Sequence, residues 1–151
     1  MDGVFMRKIF KLLVCVTVLG LLMEYTGILR DRKLLSDGII RLHVVANSDS
    51  VSDQEMKLQV KDAVVAYLQP LLEDFTDKEE AKAFICDNML SIQQVANAVL
   101  EDRGESDRAV VYLRTEAFGT RNYETFSLPA GIYDSLRIEI GEGNGKNWWC
   151  V

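Results

Sequence analysis

The 151-residue sequence contains one histidine, two prolines and three cysteines. With His43 as the single histidine, the zinc motifs that need a histidine pair are excluded. Two prolines exclude a proline-rich linker. Lys and Arg number 17 against 23 Asp and Glu, and the formal net charge of −6 has the wrong sign for binding nucleic acid. The length fits one domain with a short appendage, and the 48% hydrophobic content can supply its core.

The charge is divided unevenly along the chain. Residues 1–33 hold six basic and three acidic residues and carry +3, which leaves −9 for the remainder. Arg7, Lys8 and Lys11 precede the uncharged run 12–23, the order typical of a signal peptide. Small residues of a cleavage site do not follow, so an uncleaved signal anchor stays open. We expect residues 1–33 to form a signal peptide or signal anchor with a stalk, and residues 34–151 to form an exported domain.

The middle of the chain combines one strand pattern with three helix patterns. Residues 39–46 alternate apolar and other side chains and are rich in β-branched residues, which predicts a strand. Spacings typical of a capping box then predict three helix starts, at Ser52 with Glu55, Thr76 with Glu79, and Ser91 with Gln94. Pro70 is predicted to end or kink the first of these helices near Gln69.

The last third of the chain has the character of strands. Runs at 109–118, 123–128, 135–140 and 146–151 are strand-like and are separated by turn residues. The sequence therefore predicts an α+β fold with an N-terminal signal or anchor helix, then one strand, three helices and a C-terminal antiparallel sheet, the helices packing on one face.

Metal and phosphate chemistry find little support in the motifs. Asn47, Asp49 and Asp53 resemble the start of a calcium loop, but Val51 and Leu58 stand where oxygen ligands would be needed. Polar side chains that cap a helix explain the same residues better. The glycines of the segment 141–145 follow a strand without opening a helix, which favours a tight turn over a phosphate site. We predict no metal, cofactor or catalytic residue.

The cysteines leave two interpretations open. Cys15 lies inside the apolar run, so Cys86 and Cys150 are the two thiols of the exported part that could form a disulfide with each other. Alternatively, either thiol could pair with His43 as a nucleophile and base.

Adjacent tryptophans near the end of the chain suggest a contact with a protein partner. In a strand Trp148 and Trp149 point to opposite faces, so one can be buried while the other is exposed as an anchor for a partner. The predicted partner-binding residues are His43, Asn47, Asp49, Asn147, Trp148 and Trp149.

Three sequence blocks resemble the stage II sporulation protein R family. They are IRLHVVANSDS at 40–50 with the following Asp53-Gln54, LPAGIY at 128–133 with Leu136-Arg137, and IGEGNGKNWWCV at 140–151. The resemblance implies a signalling protein of endospore-forming bacteria, exported from the forespore to the intermembrane space. Its implied partner is a membrane-embedded aspartic protease of the stage II sporulation protein GA type, which processes the sigma-factor precursor pro-sigma-E. No enzymatic activity, small-molecule substrate or nucleic acid is implied.

One departure from the family pattern concerns Cys150. The family usually continues past the WWCV block, through a segment that contains proline, to a second cysteine, whereas this sequence stops at Val151. Either the end of the chain is missing from this sequence or this member is short, and the partner that the family pattern suggests for a disulfide with Cys150 is not among these residues. The alternative functions are an exported thiol or Cys/His hydrolase of the cell envelope, and a structural envelope protein.

Overall fold

The computed structural model describes residues 3–123 and 126–150, without the side chains of residues 3–5, Arg32, Ser36, Trp149 and Cys150. The chain divides after Leu35 into two compact units.

The first unit is helical. Helix α1 spans Gly3–Gly38, and within it the segment Met6–Leu35 is long and apolar enough to cross a membrane, with a mean hydropathy of 2.1 over its most apolar 18 residues. Its large apolar side chains are exposed, as at Leu12 and Leu21. An apolar helix of this length at the N-terminus has the properties of a signal sequence or a membrane anchor.

The second unit contains helices and strands in the predicted order and is confirmed as α+β. Its elements are β1 (Ile40–Val45), α2 (Val51–Leu72), α3 (Lys78–Asp87), α4 (Met89–Asp102), β2 (Ala109–Phe118), β3 (Arg121–Asn122), β4 (Ser127–Leu128), β5 (Gly131–Ile140) and β6 (Asn147–Cys150).

Four strands form one mixed sheet in the order β2-β5-β1-β6. Strand β1 runs parallel to β5, whereas β2 pairs antiparallel with β5 and β6 pairs antiparallel with β1. The expectation of a wholly antiparallel sheet is thus corrected at one pair. The chain leaves β1, passes through three helices and β2, and returns beside β1, and a connection of that length allows parallel pairing. Strands β3 and β4 form a separate two-stranded ribbon.

The helix starts differ from the predicted capping boxes by one to three residues. Helix α2 begins at Val51, and its cap is Ser50, whose Oγ accepts a hydrogen bond from the backbone N–H of Asp53 at 3.1 Å. Helix α3 is capped by Asp77. Helix α4 begins at Met89 after a cap residue whose side chain makes no capping bond. Neighbouring residues that can all cap a helix compete for this role, so sequence spacing alone does not select one.

Pro70 does not end helix α2, which continues to Leu72. The hydrogen bond that a proline lacks would have involved the carbonyl of Ala66, and this residue is exposed. Water can therefore satisfy that carbonyl, and a proline in the last turn is tolerated.

The three helices α2, α3 and α4 cover one face of the sheet with an apolar core. On β1 and β5 this core contains Leu42, Val44, Leu136, Ile138 and Ile140, and on the helices it contains Met56, Val60, Val64, Leu68, Ile85, Ile92, Ala96 and Leu100. The opposite face of the same two strands is also buried, but it carries Arg41, His43 and Ser135. The central strands are therefore buried on both sides, with apolar contacts on one side and polar contacts on the other.

Candidate functional site

The pairing of β1 with β6 places the first and last signature blocks side by side. In Cα register, Val45 lies opposite Asn147, Val44 opposite Trp148 and His43 opposite Trp149. Residues separated by about 100 positions thus become neighbours, and β1 acts as the central element on which the predicted partner-binding residues assemble.

The turn after β1, residues 46–49, is hydrogen-bonded to residues 142–146 of the loop between β5 and β6, and we call this set of contacts the clasp. The side-chain oxygen Oδ1 of Asn47 accepts a hydrogen bond from the backbone N–H of Glu142 at 2.9 Å, and the carboxylate of Asp49 accepts one from the N–H of Lys146 at 2.7 Å. The backbone N–H of Gly145 donates to the carbonyl of Ala46 at 2.9 Å. Asn47 and Asp49 therefore hold the last loop in place.

Glycines in this loop meet two separate requirements. Gly141 and Gly143 have φ of +58° and +64°, a conformation that favours glycine. A Cβ atom on Gly141 would overlap the side chain of Asn47, and one on Gly145 would overlap the backbone oxygen of Ser48. The glycine-rich block is thus a close-approach turn, as the sequence predicted.

A buried lysine extends the clasp to helix α2. Lys57 is 5% exposed, and its Nζ donates hydrogen bonds to Oε1 of Gln54 at 2.6 Å and to the carbonyl of Lys146 at 3.1 Å. Burial lowers the pKa of Lys57, although the charge of Asp49 opposes this shift. Sequence reasoning missed this role, and the available signal was the position of the lysine directly after Met56, beside the apolar stripe of α2.

His43 belongs to a charged cluster on the second face of the sheet. The ring is 1% exposed, and its Nδ1 lies 3.0 Å from Oε2 of Glu116. Nη1 of Arg137 donates to Oε1 of the same carboxylate at 2.8 Å, and Nε of Arg137 contacts Glu139. A carboxylate accepts hydrogen bonds, so His43 carries its proton on Nδ1 and donates to Glu116, and the 3.2 Å approach of Arg137 to Nδ1 is a proximity. Sequence reasoning missed Glu116 and Arg137, which only the sheet register brings to His43.

The pKa values of this cluster follow from its burial and its pairing. Burial lowers the pKa of His43, and this outweighs the opposing effect of the hydrogen bond and charge of Glu116, so the ring is neutral at pH 7. Burial raises the pKa of Glu116, but interactions with His43, Ser135 and Arg137 stabilise its carboxylate and bring the net pKa below the ordinary value. The neutral ring of His43 therefore lies between the charged side chains of Glu116 and Arg137.

Arg41 lies fully buried beside the cluster in an aromatic enclosure. Its guanidinium carbon is 4.1 Å from the ring centroid of Phe118 and 5.3 Å from that of Tyr133, and its Nη2 donates to the hydroxyl of Tyr123 at 3.2 Å. Among the described residues, Nε and Nη1 have no hydrogen-bond partner. Tyr133, whose ring forms part of this enclosure, belongs to the LPAGIY block, and its hydroxyl donates to the carbonyl of Pro129 at 2.7 Å.

At the surface the site presents Asp49, Asn147 and Trp148, which are exposed. Trp148 is 40% exposed, and Nζ of Lys61 lies 5.1 Å from the centroid of its ring. The side chain of Trp149 lies outside the described residues. Of the predicted residues, His43 is thus buried, Asn47 is half-buried within the clasp, and Asp49, Asn147 and Trp148 remain accessible. Their role in partner binding stays a prediction.

The two cysteines of the second unit, Cys86 and Cys150, lie on different elements. Cys86 is exposed on α3. Cys150 pairs in Cα register with Leu42, and its side chain lies outside the described residues. The predicted Cys86–Cys150 disulfide stays a prediction. Within the described parts of the chain, no group of three or more His, Cys, Asp or Glu side chains is placed to hold a metal ion.

An apolar cavity of about 530 Å³ lies at the opposite end of α2 from the clasp. Leu68, Leu72 and Phe75 line one part of it, and Ile40 and Leu136 of the sheet line another. Among the predicted partner-binding residues whose side chains the structure describes, none borders it.

Comparison with known proteins identifies the family of this α+β domain. The model of the family described as stage II sporulation protein R matches residues 36–151. The stage II sporulation protein R of Bacillus subtilis (strain 168) is 34% identical to the chain over 142 residues, which is 93% of this chain and 63% of that protein. The chain therefore belongs to the stage II sporulation protein R family. It spans less than two thirds of the length of this curated relative, and no solved structure matches it significantly.

Proposed function

We propose that this chain is a secreted intercompartmental signalling protein of sporulation. In this proposal the domain of residues 34–151 reaches the intermembrane space after export from the forespore and binds a membrane-embedded aspartic protease of the stage II sporulation protein GA type. Binding activates the protease, which then processes pro-sigma-E. Membership of the family and the apolar helix α1 support the proposal.

The proposed contact surface rests on one observation, which is that the pairing of β1 with β6 places two signature blocks side by side. The β1–β6 pairing and the clasp present Asp49, Asn147 and Trp148 at one edge of the sheet. An exposed tryptophan flanked by polar groups is a common anchor at protein interfaces. The clasp fixes the loop that precedes the tryptophan, so little conformational entropy is lost when a partner binds.

The proposed mechanism is a shift in the population of the protease. The domain would bind the active arrangement of the protease more tightly than the inactive one, and this difference in affinity sets the extent of activation. The signalling protein needs no catalytic group for this effect.

Co-expression in a non-sporulating host tests the proposal. The chain, the protease and pro-sigma-E are expressed together, and cleavage of the precursor is measured by immunoblot. We expect cleavage to depend on the chain and Trp148→Ala to reduce it at least tenfold, because truncation of an interface anchor costs about 2 kcal/mol or more. Leu90→Ala is the matched control, since Leu90 is an exposed apolar residue on α4.

Thermal unfolding of both variants shows whether the domain stays folded. Cleavage that is equal with and without the chain would refute the proposed function. Chain-dependent cleavage that survives Trp148→Ala would instead refute the proposed surface.

The alternative of a Cys/His hydrolase predicts a different pattern. His43→Ala and Cys150→Ser would abolish turnover of a substrate in an enzyme, but would impair only precursor cleavage in a binding protein. The His43–Glu116 contact resembles the base and its orienting carboxylate in hydrolases, whereas the burial of the ring keeps it from a substrate. We therefore favour the binding protein.

A further inference from the structure

Strand β2 forms one edge of the main sheet, and its two halves differ in how their outward backbone groups are satisfied. In the first half, the side chain of Asn97 accepts from the N–H of Ala109 at 2.8 Å and donates to its carbonyl at 3.2 Å. The side chain of Gln93 accepts from the N–H of Val111 at 3.3 Å. Helix α4 thus covers the edge along the first three residues of β2.

The second half of the same edge is open. Backbone N–H and carbonyl directions alternate along a strand, so the edge that contains Ala109 and Val111 continues with Leu113, Thr115 and Ala117. The carbonyl of Arg108 accepts from Gly141, which places the alternate residues toward β5. Within the described part of the chain, no hydrogen bond reaches the outward backbone groups of Leu113, Thr115 and Ala117. An open edge of this kind is a template for another strand.

We propose that this open half-edge pairs antiparallel with the same segment of a second copy of the chain, about a two-fold axis at Thr115. In this register Thr115 faces Thr115 of the second copy, and Leu113 faces Ala117 of the second copy. The outward N–H and carbonyl groups of all three residues are then satisfied by exchange between the two copies.

The charges of Arg114 and Glu116 favour a second copy of the chain as the strand that pairs with this edge. Arg114 is exposed, with its guanidinium carbon 4.1 Å from the ring centroid of Tyr112, and it lies opposite Glu116 of the second copy, whose carboxylate also holds His43 and Arg137 of its own chain and is 18% exposed. This pair has no backbone hydrogen bonds, so its side chains lie at the closest cross-strand separation. Moving the axis by one residue in either direction would place Arg114 or Glu116 opposite itself, and like charges directly opposite are destabilising. The segment is therefore complementary to itself in one register, as an isologous interface requires.

Dimer formation by the full chain in detergent micelles tests this pairing. Light scattering across a range of protein concentrations gives the mass of the protein component. We expect a dimer whose dissociation constant rises at least tenfold in Arg114→Glu, because the introduced carboxylate would face Glu116 of the second copy. Arg108→Glu is the matched control, since it makes the same charge change just before the covered half of β2 and should leave the constant unchanged.

A second variant removes a backbone donor without a charge change. Ala117 is exposed and its N–H points away from β5, so Ala117→Pro should leave the protomer folded, as judged by circular dichroism, and abolish the dimer. A dimer that persists in both Arg114→Glu and Ala117→Pro would place the interface elsewhere and overturn the proposal.

Amide hydrogen exchange resolves the edge residue by residue. In the dimer the amides of Leu113, Thr115 and Ala117 should be protected, and this protection should disappear on dilution. The amides that bond to β5, such as those of Tyr112 and Arg114, should stay protected at every concentration. A chain that is monomeric throughout, or edge amides that become protected only when a different protein is added, would overturn the proposal.

Discussion

The two faces of the central sheet are buried in different ways. Toward the helices, β1 and β5 present aliphatic side chains that pack in a continuous core. On the other face the same strands present Arg41, His43 and Arg137, which are held by aromatic rings and carboxylates. Apolar packing tolerates many sequences, whereas the polar face depends on particular partners at particular distances. We therefore expect the helix-covered face to contribute most to stability, and the polar face to depend more strongly on the identity of its individual residues.

The largest expected effect belongs to the apolar face. Ile138 is fully buried at the centre of the core, and Ile138→Ala should lower the free energy of unfolding by about 3 kcal/mol through lost burial and an unfilled cavity. Ile132→Ala on the same strand is the control, because Ile132 is 66% exposed and should cost less than about 1 kcal/mol. Urea titrations of both variants measure the difference. Equal losses would contradict the assignment of the core.

On the polar face, Glu116 is expected to be the residue most sensitive to a small change. Glu116→Gln removes the charge that pairs with Arg137 and accepts from His43, and should lower the free energy of unfolding by about 2 kcal/mol. Glu139→Gln is the comparison, since among the described residues the carboxylate of Glu139 pairs only with Arg137, and its replacement should cost under about 1 kcal/mol. Denaturant unfolding at pH 7 ranks the two variants. A larger loss in Glu139→Gln would show that the cluster is centred elsewhere.

The pH dependence of stability isolates His43, which is the single histidine of the chain. Its pKa in the folded state is lowered by burial, so the unfolded state binds the proton more readily. The stabilising effect of the neutral ring is complete above the unfolded pKa of about 6.5 and is lost as the pH falls toward the folded pKa. The slope contributed by one proton is at most about 1.4 kcal/mol per pH unit.

Urea unfolding between pH 7.5 and 5.5 measures that slope. The free energy of unfolding should decrease as the pH falls, and His43→Gln should flatten the decrease because its side chain does not titrate. An equally steep decrease in His43→Gln would assign the pH dependence to the carboxylates instead.

The smallest expected effect concerns Arg41. Its guanidinium is fully buried, and two of its three nitrogens have no hydrogen-bond partner among the described residues, so its charge is costly to bury. Arg41→Met keeps most of the volume and the contact with Phe118, and should change the free energy of unfolding by under about 1 kcal/mol, in either direction. Calorimetry on this variant and on Arg41→Ala separates charge from volume. A loss above about 2 kcal/mol in Arg41→Met would show that the charge itself stabilises the fold.

Elements with a local signal could be predicted well. The strand β1, the three helices and the strands β2, β5 and β6 were predicted from periodicity, because the spacing of apolar residues reflects the faces of helices and strands. The run 123–128 was predicted as one strand, whereas the structure has β3 at Arg121–Asn122 and β4 at Ser127–Leu128. Helix starts were less accurate: several residues around Ser50 and Asp77 can cap a helix, and tertiary contacts select among them. The glycine turn at 141–145 was predicted because positive φ is a local property.

Contacts between distant segments could not be predicted in the same way. Lys57 is buried and Glu116 and Arg137 are half-buried, and their contacts with Lys146 and His43 depend on which distant segments the fold places side by side. The parallel pairing of β1 with β5 is likewise not written into either strand, because an alternating pattern specifies which side chains share a face and not which neighbour the strand takes.

The sequence by itself determined the apolar N-terminal segment, the α+β class and the signature blocks of the stage II sporulation protein R family, because these depend on composition, local spacing and the order of residues. Only the tertiary structure decided that the first and last blocks meet on β1 and that His43 is buried against Glu116. It also decided that, within the described part of the chain, no hydrogen bond reaches the outward backbone groups of Leu113, Thr115 and Ala117 on β2. These features arise from hydrogen bonds and packing between residues far apart in the chain, and such contacts exist only once the strands have taken their order in the sheet.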